Sequence, residues 1–149
     1  MKEKVIIGCD HGAFELKEKI KKFLAGSGYS VSDAGVYNEE RADYPDIAEK
    51  ACGEFLSGGY AFGILCCGTG IGISIAANKI NGIRCALLHD LYTAEMSKAH
   101  NNANFIAFGG RVSYADPVES MIMKCIKTEY EGGRHEGRLQ KISSLEHHL

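Results

Sequence analysis

Tyr60-Ala61-Phe62-Gly63-Ile64-Leu65-Cys66-Cys67-Gly68-Thr69-Gly70-Ile71-Gly72-Ile73-Ser74 is the stretch whose reading decides the fold. From Tyr60 to Cys67 it is a short, continuous apolar run with no polar face, the pattern of a strand covered on both sides. Glycines at 68, 70 and 72 then give a tight turn, and a helix opens that runs through Ala77. A strand buried on both faces belongs to a parallel sheet between helices, so the flanking sequence is expected to alternate strand and helix.

Upstream, Val5-Ile6-Ile7-Gly8-Cys9 is short and β-branched, and Phe14, Leu16, Ile20, Phe23 and Leu24 follow with helical spacing. Gly26 and Gly28 close that helix, and Tyr29-Ser30-Val31-Ser32 alternates as a strand does. A charged loop from Asn38 to Asp43 leads through Tyr44-Pro45-Asp46 into a helix carrying Ile47, Ala48, Ala51, Phe55 and Leu56, with Pro45 in its first turn. Downstream, Ile83 to Leu88 reads as strand, Tyr92 to His100 as helix, Phe105 to Phe108 as strand and Pro117 to Tyr130 as a long helix. Gly132-Gly133 separates it from a short tail helix from about residue 134. The expected fold is α/β: a three-layer α/β/α sandwich with a five-stranded parallel sheet, Rossmann-like, with residues 1–149 as a single domain.

Composition excludes several classes. The 149 residues are 45% hydrophobic and 24% charged, near the average for globular domains, so disordered and collagen-like chains drop out. A formal net charge of -2 argues against nucleic acid as a partner, and any anion site must be local. No apolar run approaches the roughly 20 residues of a membrane helix, and Met1-Lys2-Glu3-Lys4 does not open a signal peptide, so a cytoplasmic protein without a membrane partner is expected. Cys9, Cys52, Cys66, Cys67, Cys85 and Cys125 lie mostly inside apolar runs and read as free thiols. None has C-x-x-C spacing, and adjacent Cys66-Cys67 suits neither a bridge nor a shared metal, so no metal site is expected. His147 and His148 near the C-terminus are assigned no role.

In open parallel sheets ligands bind beyond the carboxyl ends of the strands. Asp10 and His11 follow the first strand, Cys67 and the glycine loop the third, His89 and Asp90 the fourth, and Gly109-Gly110-Arg111 the fifth. Cys67 through Gly72 has two readings. It is a tight turn beside a buried cysteine, or it is an anion cradle whose backbone amides and helix N-terminus favour a thiolate. Neighbouring strand residues face opposite ways, so if Cys67 faces the site, Cys66 faces the core. The phosphate loop G-x-x-x-x-G-K-[ST] is absent, and G-x-G-x-x-G fails where Ile73 stands, although Asp90 lies about 20 residues after Gly70 as a ribose ligand would. A dinucleotide-binding oxidoreductase is therefore the runner-up. Arg134 and Arg138 sit at i and i+4 if the tail is helical, as two solvated cations or as a phosphate grip with Arg111 as a third. His100 closes a helix, where a histidine commonly serves the helix dipole.

These residues together resemble the ribose-5-phosphate isomerase B family, which includes allose- and galactose-6-phosphate isomerases. The likeness rests on Gly8-Cys9-Asp10-His11-Gly12 with Leu16-Lys17, on Asp43-Tyr44-Pro45-Asp46, and on Cys67 through Lys79. It continues in His100-Asn101-Asn102-Ala103-Asn104, Gly109-Gly110-Arg111-Val112 and Glu131-Gly132-Gly133-Arg134-His135 with Arg138. Asn102 departs from the aspartate expected there.

The resemblance implies a metal-independent enzyme of the pentose phosphate pathway with no cofactor, working as a homodimer or tetramer whose active site lies at the subunit interface. It implies interconversion of ribose 5-phosphate and ribulose 5-phosphate through an enediolate, with isomerisation of allose or galactose 6-phosphate as the alternative. Cys67 is implied as the base and His100 as the ring-opening acid. Asp10, His11, Gly68, Thr69, Gly70, Ile71, Gly72, Asn101, Arg111, Arg134 and Arg138 are implied as substrate ligands. Thr69 also stabilises the enediolate, and Asp10 either shuttles a hydroxyl proton or only orients a hydroxyl.

Overall fold

A computed structural model describes residues 1–147, so His148 lies outside the described residues. The strands are β1 (Lys4–Cys9), β2 (Ser30–Asp33), β3 (Phe62–Cys67), β4 (Cys85–Leu87) and β5 (Phe105–Gly109). The helices are α1 (Phe14–Gly26), α2 (Tyr44–Leu56), α3 (Ile71–Asn78), α4 (Leu91–Ala99), α5 (Val118–Lys127) and α6 (Arg134–Leu145). The strands form one parallel sheet in the order β2-β1-β3-β5-β4.

Strand alternation divides the core in two. Val5, Ile7 and Cys9 of β1, Ile64 and Cys66 of β3, and Ile106 and Phe108 of β5 pack against α1, α4 and α5 through Ile20, Leu24, Ala94, Met121 and Ile122. Ile6, Leu65, Cys67, Phe105 and Ala107 face the other way, onto Ala48, Ala51 and Cys52 of α2 and Ile73 and Ala77 of α3. Burying each large apolar side chain contributes about 1.5–3 kcal/mol. The three-layer sandwich expected from the sequence is the one observed. Gly63 is obligatory in it, because a Cβ there would lie 2.1 Å from the ring of Phe105.

Three elements are shorter than their sequence patterns, the first being β3, which starts at Phe62 rather than Tyr60. α5 ends at Lys127 rather than Tyr130, because the Thr128 hydroxyl bonds back to the Lys124 carbonyl and the backbone turns extended there. The freed segment then docks on α4, with the Glu131 amide donating to the Ala99 carbonyl at 3.0 Å. β4 ends one residue early at Leu87 and loses Ile83 and Arg84 because Asn104 occupies that end: the Arg84 amide donates to Asn104 Oδ1 at 2.7 Å, and the Asn104 amide donates to the Arg84 carbonyl at 3.1 Å. Among the described residues no helix is long and apolar enough to cross a membrane.

Neighbouring β1 and β3 run onward to opposite sides of the sheet, β1 toward β2 and β3 toward β5. A crevice opens beyond their carboxyl ends, the place where such sheets hold ligands.

Candidate active site

At that crevice the ends of β1, β3 and β5 are held together by backbone hydrogen bonds. The Asp10 amide donates to the Cys66 carbonyl at 3.2 Å, the Gly110 amide to the Cys67 carbonyl at 2.8 Å, and the Arg111 amide to the Gly68 carbonyl at 2.9 Å. Such close approach needs glycine. A Cβ on Gly110 would stand 2.5 Å from the Gly12 carbonyl oxygen, and one on Gly70, whose φ is +78°, would stand 2.8 Å from the carbonyl carbon of Phe108.

Cys67 is the last residue of β3, 4% exposed, and its Sγ accepts the Gly70 amide at 3.1 Å. Gly70 caps α3 without a side chain, so the sulfur lies at the amino end of that helix. The exposed Thr69 hydroxyl accepts the Ile71 amide at 3.2 Å, and the ring of Tyr44 covers Gly72, where a Cβ would fall 2.6 Å from it. Cys66 faces the opposite core layer, and burial pushes its thiol well above the ordinary range. Burial likewise raises Cys9 to about 11 and Cys52 to about 12, as expected of inert structural thiols.

Across the crevice the buried Asp10 carboxylate accepts the Gly12 amide at 2.8 Å. His11 Nδ1 lies 3.2 Å from both the carbonyl and the amide of Ala42, which ties the 38–43 loop to the site. The exposed Arg111 guanidinium lies over Gly68, with Nη1 3.3 Å from where a Cβ would stand. A cleft of about 190 Å³ runs between His11, Gly12, Gly110 and Arg111.

The remaining expected residues are elsewhere. α4 starts after β4 and runs back, so His100 and Asn101 lie at the amino ends of the strands. There the Asn101 carbonyl accepts from Arg84 just before β4, and the Asn104 carbonyl accepts the Gly63 amide in β3. Arg134 and Arg138 on α6 belong to this end, because His135 beside Arg134 stacks on His100 with ring centroids 4.2 Å apart. β3 is six residues long, which puts roughly 17 Å of sheet between the two ends. Within one chain Arg111 therefore lies apart from Arg134 and Arg138. Among the described residues none of these three guanidinium groups has a carboxylate within ion-pair distance.

Asp90 does not face a ribose site. It caps α4, accepting the Thr93 amide at 2.7 Å while the Thr93 hydroxyl accepts the Asp90 amide, and these bonds hold its carboxyl below the usual range. The dinucleotide reading thereby loses its ribose ligand. Asn102 adopts φ +43° and accepts from Lys98 at 2.8 Å; asparagine and aspartate both tolerate that backbone, which accounts for the departure from the family pattern.

Two groupings were invisible in the sequence. Tyr44 belongs to the Asp43–Asp46 motif, and its ring forms one wall beside Gly72. His100, Glu131 and His135 bring three donor atoms within 4.8 Å of one another, a cluster that residue spacing did not reveal. A metal ion lies in the plane of each imidazole that binds it, and rings stacked 16° from parallel offer no such common point. The pairing suits a proton instead. An apolar depression of about 520 Å³ lies along the β4 edge beside Ile142 and Leu145; of the expected residues it touches only Asn101 and holds no reactive group. The smaller cleft, by contrast, is lined by His11 and Arg111.

The family model for ribose/galactose isomerases matches residues 5–142. Ribose-5-phosphate isomerase B of Escherichia coli K12 is 41% identical over 144 residues, 97% of each chain. A crystal structure of a ribose 5-phosphate isomerase from Thermotoga maritima superposes with a TM-score of 0.93 at 46% identity, covering 97% of this chain and 99% of that one. Ribose-5-phosphate isomerase B of Clostridium thermocellum gives 0.94 at 45%, covering 97% and 98%. With its glycine loop, its strand-end cysteine and this likeness over nearly its whole length, the chain belongs to the ribose/galactose isomerase family.

Proposed function

We propose that this protein interconverts ribose 5-phosphate and ribulose 5-phosphate, in sites that two copies of the chain complete together. The observation that carries the reading is the Cys67 thiol held at the amino end of α3, with the Gly70 amide donating to its sulfur. One copy supplies Cys67, Gly68 to Gly72, Asp10, His11 and Arg111, and its neighbour supplies His100, Asn101, Arg134 and Arg138. The roughly 17 Å of sheet between these groups in one chain is far more than a pentose phosphate spans, which supports a shared site.

The aldose is cyclic in water, so His100 first donates a proton to the ring oxygen as the C1 hydroxyl loses one. The Cys67 thiolate then takes the C2 proton, and the C2 electron pair moves into the C1–C2 bond while the C1 oxygen takes up negative charge. Amides of Gly70 to Gly72 and the Thr69 hydroxyl stabilise that charge; one well-placed donor of this kind is worth about 3 kcal/mol. Proton transfer between the two oxygens, near Asp10, and return of the carbon-bound proton from Cys67 to C1 give the ketose. The arginines hold the phosphate and so fix C1 and C2 against the sulfur.

A coupled assay offering ribose 5-phosphate, allose 6-phosphate and galactose 6-phosphate tests this. The highest kcat/KM is expected for ribose 5-phosphate. Preference for either hexose phosphate would replace the substrate, and turnover of none would sink the reading.

A further inference from the structure

The His100 and His135 rings stack 4.2 Å apart and 16° from parallel. One oxygen, Oε2 of Glu131, stands 3.8 Å from Nε2 of His100 and 3.5 Å from Nε2 of His135. Three segments are brought together for this: the end of α4, the chain beyond α5, and the first turn of α6. Gly132 and Gly133, with φ of +64° and +54°, reverse the chain so that Glu131 and His135 flank the same ring. Those angles strain any residue with a Cβ, and the Glu131 amide anchors the reversal on the Ala99 carbonyl.

We propose that Glu131 and His135 are positioning residues for His100: the buried His135 ring fixes the plane of the His100 imidazole, and the Glu131 carboxylate keeps on it the proton that ring opening consumes. This rests on the reading of His100 as the ring-opening acid.

Which ring takes the proton follows from the surroundings. His135 is 5% exposed, and its burial, then the positive charges of His100 and Arg134, hold its imidazole below the ordinary histidine range, with Glu131 opposing and Arg138 adding to them. Arg134 also directs its Nε–H at Nε2 of His135 from 3.5 Å, which requires a lone pair on that nitrogen. The His100 side chain is 32% exposed and open to a ligand. The cations nearby are Arg134 and Arg138 on α6, Lys98 on α4 bound to Asn102, and Arg84 bound to the Asn101 and Asn102 carbonyls. Two acids stand against them: Glu136 in the first turn of α6, which accepts the Tyr130 hydroxyl at 3.0 Å, and Glu131, which lies 3.8 Å from the His100 ring nitrogen.

The test uses the full chain with Glu131→Gln, Glu131→Asp, His135→Phe and His135→Ala. NMR follows titration of the His100 ring, and kcat/KM for ribose 5-phosphate is taken against pH. A third measurement, exchange of a C1 proton of ribulose 5-phosphate with D2O, needs Cys67 but no ring opening. Glu131→Gln is expected to move the His100 titration and the alkaline limb of the rate profile to lower pH by about half a unit, the size of a partly exposed ion pair, with Glu131→Asp restoring much of it. His135→Phe keeps the stacked wall and stays within about threefold of the parent, whereas His135→Ala loses about tenfold in ribose 5-phosphate turnover. In all four, C1 exchange persists. A folded Glu131→Gln protein with both titrations unmoved overturns the proposal, and so does loss of C1 exchange in step with turnover, which would mean the pair only supports the fold. If the parent turns over no ribose 5-phosphate, it is the proposed activity that fails, and the His100 titration in Glu131→Gln still decides the pairing.

Discussion

The amide of Gly70 donates to the Cys67 sulfur at 3.1 Å, while the adjacent Cys66 thiol lies wholly within the opposite core layer. Two neighbouring cysteines thus have unlike surroundings because strand side chains alternate. Cys67→Ala is expected to lower kcat by about a thousandfold or more while still binding ribulose 5-phosphate in calorimetry. Cys66→Ala should keep its turnover and lose about 1 kcal/mol of stability. An inactive but folded Cys66→Ala protein would transfer the role of base to the wrong face of the sheet and refute the assignment.

Arg134 and Arg138 one turn apart on α6 are free of carboxylate partners among the described residues, as a phosphate grip requires. Replacing either by Ala should cost about 2 kcal/mol, or roughly thirtyfold in kcat/KM for ribose 5-phosphate. Lysine should restore part of this, keeping charge but not the planar fork. Slow turnover of unphosphorylated ribose should be nearly untouched; equal damage to both substrates would assign the arginines to the fold instead.

The separation of Cys67 from His100 allows a complementation experiment. Cys67→Ala and His100→Ala proteins should each be nearly inactive. Dissociated together and reassociated, they should recover about a quarter of parental activity, since half the pairs are hybrids and each hybrid restores one of two sites. No recovery, with hybrids demonstrated by mass spectrometry, would mean that each chain works alone.

Acidification should weaken the fold in two stages. His135 is kept neutral chiefly by burial, so its contribution is present above the ordinary histidine pKa of about 6.5 and is lost as pH falls through its lower folded value. Burial would raise Asp33, but hydrogen bonds from Lys17, Lys21 and the Gly35 amide outweigh it and leave the carboxyl below its usual range, so its contribution persists until pH falls below about 3.9. Lys17 is fully buried, 2.8 and 2.9 Å from the two Asp33 oxygens, and also donates to the Val36 carbonyl. Asp33→Asn should cost about 3 kcal/mol at neutral pH and abolish the more acidic stage in a series of Tm measurements, because it leaves a buried ammonium short of its counterion. An unchanged melting profile would count against the pair.

Much of this was legible in the residue order. Buried parallel strands leave short apolar runs, so β1, β3 and β5 announce themselves, and the Cys67 to Gly72 segment declares a close-packed turn at a helix start. The end of α5 did not, because Ile126 and Lys127 continue a helical pattern that the Thr128 hydroxyl and the docking of Glu131 on α4 override. Asp90 misled by coincidence of spacing, since the same residue type caps a helix and grips a ribose. The cluster of His100, Glu131 and His135 joins side chains separated by up to 35 positions, from His100 to His135, and no local period records such a meeting. Its one trace in the sequence was the Gly132-Gly133 pair, which signals a sharp reversal without saying what it brings together.

α4 also acts as a ruler. Its nine residues, pinned at one end by the Asp90–Thr93 box and closing at His100, carry the chain about 13.5 Å back along the sheet. One inserted residue would swing His100 about 100° around the helix axis, off the His135 ring, and a full inserted turn would lengthen the span by about 5.4 Å. The number of residues between Asp90 and His100 is therefore fixed more tightly than their identities.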